Sequence, residues 1–224
     1  MDNGQSLNKL LEFDNFVLSF QEPGLGQDAC VEAYDKDDAV KHYAVSTVAL
    51  AYRGPQYCAD MAAAMVQDRR EGALVLDVAA GTGLVGEELH KHGFKNIHAL
   101  DGASQMLETC KQKGVYSDFI QCILLEGKQM PIANATYDVV AMSGATIENH
   151  LPPSSMQEFV RVIKPGGYFI NCYRATIQDI EYGKEWLAEA ARLEKTGKWK
   201  LYGRLNFRKY HVFSDGFVDI YQVN

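Results

Sequence analysis

The sequence predicts an α/β fold: a mostly parallel sheet with helices on both faces, finishing in an antiparallel hairpin. Three observations carry this. Five short apolar runs alternate with segments of helical period between residues 74 and 173, the pattern of parallel strands joined by crossover helices. The first of these runs leads straight into a glycine turn and a helix start, Ala80-Gly81-Thr82-Gly83-Leu84. Past Arg174, two strands at 199–205 and 217–223 follow one another without a helix between them, which makes them antiparallel neighbours.

Taken in order, residues 1 to about 38 hold an apolar patch: Leu10, Leu11, Phe13, Phe16, Val17, Leu18 and Phe20. A turn at Pro23-Gly24-Leu25-Gly26 and an acidic run, Asp35-Lys36-Asp37-Asp38, follow. The pattern fits either a helix packed on the body or a disordered leader. Residues 39–52 read as a helix, broken at Arg53-Gly54-Pro55, and Pro55 suits the first turn of the next helix. There Cys58, Met61, Ala62, Met65 and Val66 recur at helical spacing, and Gly72 ends the element. The helix from Leu84 stops at Gly93 with His90, Lys91 and His92 in its last turn, where cations suit the dipole. The second strand is 97–101; Ser104 is the expected N-cap of a helix with Met106, Leu107 and Cys110 inward and Gly114 at its end. The third and fourth strands are 119–125 and 137–143. Pro152-Pro153 opens a helix with Met156, Phe159, Val160 and Ile163 apolar. Lys164-Pro165-Gly166-Gly167 ends that helix before a fifth strand at 168–173. Tyr182, Trp186, Ala190 and Leu193 line a further helix stopped by Gly197, and the last two strands enclose a polar loop, 206–215, carrying Tyr210 and His211.

Composition narrows the partners. The net charge of -7 argues against a phosphate backbone, whose affinity rests on clustered Lys and Arg, and favours a small-molecule substrate or, second, a protein. Five cysteines, an odd number without paired spacing, read as reduced core residues, and no His/Cys cluster has the spacing of a metal site. No apolar run approaches the roughly 18 residues of a membrane span, and Met1-Asp2-Asn3-Gly4-Gln5-Ser6 lacks a basic region. The expected compartment is the cytoplasm, with no membrane and no nucleic-acid partner.

The glycine turn raises the question of ligand. Gly81-Thr82-Gly83-Leu84-Val85-Gly86 fits a dinucleotide fingerprint, and Asp101 closes the next strand about 20 residues on, where a ribose-binding acid belongs. Charge separates the candidates. A pyrophosphate would lie beside the Asp77 carboxylate with no Lys or Arg in the loop to offset the repulsion. S-adenosylmethionine brings an ammonium and a sulfonium instead, and its carboxylate can take the helix N-terminus. This favours the methyl donor over a nicotinamide dinucleotide.

Four stretches, in order and properly spaced, resemble the motifs of class I S-adenosylmethionine-dependent methyltransferases. They are Val75-Leu76-Asp77-Val78-Ala79-Ala80-Gly81-Thr82-Gly83, with Ala79 where glycine is commonest; Ala99-Leu100-Asp101-Gly102-Ala103-Ser104-Gln105-Met106-Leu107; Met130 to Val140; and Arg161-Val162-Ile163-Lys164-Pro165-Gly166-Gly167. With Tyr52-Arg53-Gly54-Pro55 added, the chain is most similar to the methyltransferase-like proteins named after the Williams–Beuren syndrome region. Two positions depart from that subgroup: Ala44 follows Tyr43 where an Asp is usual, and Glu126 stands where many relatives have Asp.

The resemblance implies a Rossmann-like seven-stranded sheet with the last strand antiparallel, a helical cap over 1–72 and a donor-binding core over 73–224. It places Ala79, Gly81, Thr82 and Gly83 by the methionine part of the donor and Asp77 facing its cations. Asp101 would hold the ribose hydroxyls, Gly102 and Met106 would flank the adenine, and Glu126 and Gly127 would lie at its edge. The Ser143 backbone would lie near the amino group and Arg53 near the carboxylate. His150, in the loop after the fourth strand, is the candidate catalytic base; its other reading is a histidine bonded to backbone ahead of Pro152-Pro153, and Glu148 shares the ambiguity. The expected activity is methyl transfer from S-adenosylmethionine to a small molecule. A protein that holds the donor or its demethylated product without turnover is the first alternative, and an NAD(P)-dependent oxidoreductase the second.

Overall fold

The computed structural model describes residues 3–20 and 24–224. Three helices come first, α1 (Asn3–Ser19), α2 (Gln27–Tyr34) and α3 (Asp37–Ala49), and then α4 (Gly54–Val66). Strands and helices alternate after that: β1 (Leu74–Val78), α5 (Leu84–Lys91), β2 (Asn96–Asp101), α6 (Ser104–Lys113), β3 (Asp118–Gln121), β4 (Tyr137–Ser143), α7 (Ser155–Val162) and β5 (Ile163–Arg174). The chain closes with α8 (Glu181–Lys195), β6 (Trp199–His211) and β7 (Ser214–Val223).

The seven strands form one sheet in the order β3-β2-β1-β4-β5-β7-β6. Pairing is parallel from β3 to β5, and β7 inserts antiparallel between β5 and β6. Two cores cover the sheet. On one face Phe159 of α7 and Trp186 of α8 pack with Leu76, Val140, Phe169 and Trp199. On the other, α4 lays Cys58, Ala59, Ala62, Ala63 and Val66 against Val75, Val139, Ala141 and Ile170. Small side chains let that helix approach closely, while each large buried apolar side chain contributes about 1.5–3 kcal/mol. The helix thus belongs to the layer on the sheet, and the cover over the carboxyl edge comes from α1 to α3.

Of the two forms open to the N-terminal patch, the structure takes the helix. Phe13 and Phe16 of α1 meet His42 of α3 at centroid distances of 5.6 and 4.2 Å, and Phe20 stacks on Tyr34 of α2 at 4.2 Å. Pro23 and the side chain of Val17 lie outside the described residues.

Several boundaries differ from expectation. The third strand stops at Gln121 rather than Leu125, because it is an edge strand with one neighbour and the residues after it turn to the cavity described below. The α4 helix ends at Val66 and passes through a 3-10 turn (Gln67–Arg69) before Gly72. The Lys164 to Gly167 stretch enters β5, at the cost of a register shift opposite Tyr137 and Val139. The expected polar loop at 206–215 is strand as far as His211: a bulge between Phe207 and His211, with Lys209 at φ 60°, hides the alternation. Ser104 is the first residue of α6, not its N-cap. The acceptor comes from α2 instead, since Asp35 Oδ1 takes the Gln105 N–H at 2.8 Å and the Ser104 hydroxyl at 3.0 Å.

Candidate active site

Parallel strands bring their carboxyl ends to one edge, and the chain reverses its winding between β1 and β4, so a crevice opens there. Asp101, Ser143 and Arg174 are the last residues of β2, β4 and β5, and all three line a cavity of about 1240 Å³, open mouth included. Cys30, Val31 and Tyr34 of α2 and Tyr43 and Thr47 of α3 wall it opposite the sheet.

At one end Asp101 organises two turns. Its Oδ2 accepts the Gly81 N–H at 2.8 Å and its Oδ1 the Ala103 N–H at 2.9 Å, which leaves a lone pair on each oxygen for a neighbouring diol. Burial raises its pKa while the N–H groups of Ala103, Gly81 and Gly102 pull the other way. Gly81 (φ 55°) and Ala79 (φ 52°) both line the cavity in the left-handed region. Gly102 has no room for a side chain: a Cβ there would lie 2.9 Å from Val31 and 3.1 Å from Ile123. Leu100, Ala103, Met106, Ile123 and Leu124 complete an apolar slot beside it. Met106 is 2% exposed and also packs against Val31, Tyr34 and Tyr43 of the cap, so it serves both core and cavity.

Ser143 joins this end to the next. Its Oγ is 2.7 Å from the Tyr52 hydroxyl, which in turn accepts the Tyr210 O–H at 3.2 Å. Gly54 permits the approach, since a Cβ there would sit 2.6 Å from both Ser143 Oγ and the Tyr52 ring.

His150 lines the cavity with both ring nitrogens engaged. Nδ1 lies 3.1 Å from the Glu148 carbonyl, which can only accept, so the proton is assigned to Nδ1 and Nε2 accepts the Tyr34 O–H at 3.1 Å. Burial pushes its pKa down to about 4. His150 thus has the backbone bond of the second reading and also lines the cavity.

Other expected contacts fall elsewhere. Asp77 is fully buried but off the cavity wall: Oδ2 accepts the Tyr116 O–H at 2.7 Å, and Oδ1 has no hydrogen-bond partner among the described residues. Burial lifts its pKa from 3.8 to about 7 despite Tyr116. The charge argument that set Asp77 face to face with a cation does not carry over directly, because the acid lies beneath the turn. Gly83 and Gly86 make room for Tyr116, whose ring would stand 3.1 and 2.2 Å from a Cβ at either position. Thr82 is buried in the same turn, away from the wall. Arg53 lies off the wall, its guanidinium 4.9 Å over the Tyr57 ring. Glu126 and Gly127 are exposed and also off the wall; the early end of β3 gives the contact to Cys122, Ile123 and Leu124. Sequence reasoning missed Tyr34, Tyr52 and Arg174. Only Tyr52 carried a signal, as neighbour of Arg53 in the Tyr52-Arg53-Gly54-Pro55 stretch.

Among the described residues no group of His, Cys, Asp and Glu could hold a metal ion, and no helix is long and apolar enough to cross a membrane. All five cysteines are free thiols, four of them buried.

Comparison with known proteins agrees with this geometry. Residues 76–171 match the methyltransferase domain family. Methyltransferase-like protein 27 of Homo sapiens is 33% identical over 167 residues, 75% of this chain and 64% of that protein. A demethylmenaquinone methyltransferase of Clavibacter sepedonicus is 29% identical over 105 residues, 47% of this chain and 42% of that protein. The chain thus spans less than two thirds of either relative's length. A solved TehB-like S-adenosylmethionine-dependent methyltransferase of Corynebacterium glutamicum superposes with a TM-score of 0.60 at 17% identity, covering 84% of this chain and 100% of that one, a likeness of fold. Four ordered motifs, a sheet wound β3-β2-β1-β4-β5-β7-β6 and these matches make the chain similar in sequence to methyltransferases and in fold to solved S-adenosylmethionine-dependent methyltransferases.

Proposed function

We propose that the protein transfers a methyl group from S-adenosylmethionine to a small-molecule acceptor. The observation that carries this is Asp101: a carboxylate at the end of β2, pinned by two backbone N–H groups, on the wall of the cavity at the carboxyl edge of the sheet. The residues present fit the donor. Asp101 suits its ribose diol, the slot of Gly102, Met106, Ile123 and Leu124 its adenine, and the bare backbone of Gly81 with Ala79 and Ser143 its methionine part. When bound, S-adenosylmethionine supplies an electrophilic methyl carbon on a sulfonium. Arg53, Glu126 and Gly127, off the wall, receive no contact in this reading, and Asp77, Thr82 and Gly83 support the turn from below.

The chain's own residues then align the partners and keep water out, which accounts for most of the acceleration a methyl transfer needs. Tyr34 and Tyr43 of the cap close the cavity from above, which favours a small acceptor over a protein side chain. His150 holds the Tyr34 hydroxyl; with its pKa near 4 it takes up a proton poorly at neutral pH, so the reading gives it a positioning role and looks for an acceptor already nucleophilic there. The same weak basicity favours, as a second reading, a protein that binds the donor without turnover.

Calorimetry tests the first reading. S-adenosylmethionine and S-adenosylhomocysteine should bind to the intact chain and weaken by about a hundredfold in Asp101→Ala, the loss of two charge-assisted hydrogen bonds. Binding of NAD in their place would sink it. Labelled donor incubated with metabolite extract separates turnover from inert binding: label in any product excludes the second reading.

A further inference from the structure

Beyond the slot beside Asp101, the cavity continues to the ends of β5 and β6, where Arg174 and His211 line it. The Arg174 side chain is 14% exposed, and its Nη2 donates to Asp14 Oδ1 of α1 at 3.2 Å. His211 is 4% exposed. Its Nδ1 accepts the Phe213 N–H at 3.1 Å, so the ring proton is assigned to Nε2. Burial and the neighbouring Arg174 charge lower its pKa to about 4, which keeps the ring neutral and Nε2–H a donor. That donor has no hydrogen-bond partner among the described residues, and Asp14 Oδ1 stands off at 3.9 Å. A buried donor left unmade is costly, so its persistence on a cavity wall calls for a ligand atom.

We propose that Arg174 and His211 form a subsite for a carboxylate on the acceptor, and that Asp14 of α1 competes for the same place. The inference rests on the methyl-transfer reading and adds the substrate class to it: a small monocarboxylic acid. One guanidinium offers a planar fork, and one neutral N–H completes it. Together they match a single planar negative group and leave a dianion with a charge uncompensated. Asp14 marks the place, since the oxygen that takes the Arg174 N–H at 3.2 Å stops 3.9 Å short of His211 Nε2. It reaches them from α1, an element outside the sheet layers that packs Phe13 and Phe16 on α3, so a carboxylate brought by a ligand can replace it. Tyr52, Tyr173 and Tyr210 line the stretch between Ser143 and Arg174 and suit an aromatic or apolar body behind the acid group.

The probe is benzoate, with benzamide as its uncharged counterpart, titrated calorimetrically into the full chain saturated with S-adenosylhomocysteine. Benzoate should bind about tenfold or more tightly than benzamide. It should bind about fivefold more tightly to Asp14→Asn than to the unaltered chain, and about tenfold more weakly to Arg174→Gln. Where Arg174→Gln does not fold, Arg174→Lys keeps the charge without the fork and should lose about threefold. Equal binding of benzoate and benzamide, absence of benzoate binding, or a response to Asp14→Asn of less than twofold overturns the subsite. Failure of benzoate with S-adenosylhomocysteine still binding removes this inference alone; failure of S-adenosylhomocysteine to bind removes the reading beneath it.

Discussion

At the scale of single residues, the turn after β1 is held by side chains off the cavity wall. Tyr116 fills the space left by Gly83 and Gly86, donates to Asp77 and accepts the Gly86 N–H at 3.2 Å, so the third glycine of the fingerprint is a seat for a tyrosine. Ala79 stands where the family most often has glycine and adopts φ 52°. An L-residue there bears about 1–2 kcal/mol of strain, against which a glycine would set some loss of chain entropy. Ala79→Gly should therefore gain up to about 1 kcal/mol of stability, read as a higher urea midpoint with an unchanged slope. A lower midpoint would show that the neighbouring packing, and not the dihedral, governs the position.

At the scale of elements, the cap is tied to the body by polar contacts at a few points. Asp35 at the end of α2 caps α6; the Gln27 amide donates to the carbonyls of Leu124 at 2.6 Å and His150 at 3.2 Å; the Asn149 amide donates to the Phe20 carbonyl at 3.1 Å. The first of these couples cap position to the helix that follows Asp101. Asp35→Ala should cost about 1 kcal/mol of stability, the usual value of a lost N-cap acceptor. It should also weaken S-adenosylhomocysteine binding in calorimetry, because Val31 and Tyr34 of α2 wall the cavity. Loss of stability with unaltered affinity would show that α2 holds its place without that tie.

Across the whole molecule, buried titratable groups set opposing trends with pH. Asp77 rises from 3.8 to about 7, so the folded chain holds an extra proton in that interval and stability falls as pH rises through it, with Asp101 acting in the same direction. His150 and His211 fall from 6.5 to about 4, so their contribution is lost as pH drops through that range and stability rises with pH there. Asp77→Asn removes one side of the balance. The stability of the variant, read by urea denaturation, should rise more steeply with pH between 4 and 6.5 than that of the unaltered chain and lose the decline toward 7, a difference on the order of 4 kcal/mol by pH 8. Parallel pH profiles for the two proteins would contradict the burial of a charged Asp77.

By itself the sequence determined the α/β class, the seven strands and the closing hairpin, because periodicity and glycine turns are local; the resemblance pointed to Ala79, Gly81, Asp101, Gly102, Met106 and Ser143, all of which line the cavity. It also carried the resemblance to methyltransferases, through four motifs in order. Tertiary structure alone decided the rest. Whether Asp77 faces a ligand depends on Tyr116, 39 residues away, and the capping of α6 on Asp35, 70 residues before Gln105. The pairing of Arg174 with Asp14 spans 160 residues. Contacts of that range leave no period and no spacing in the chain, since each depends on where the sheet edge and the cap come to rest against one another.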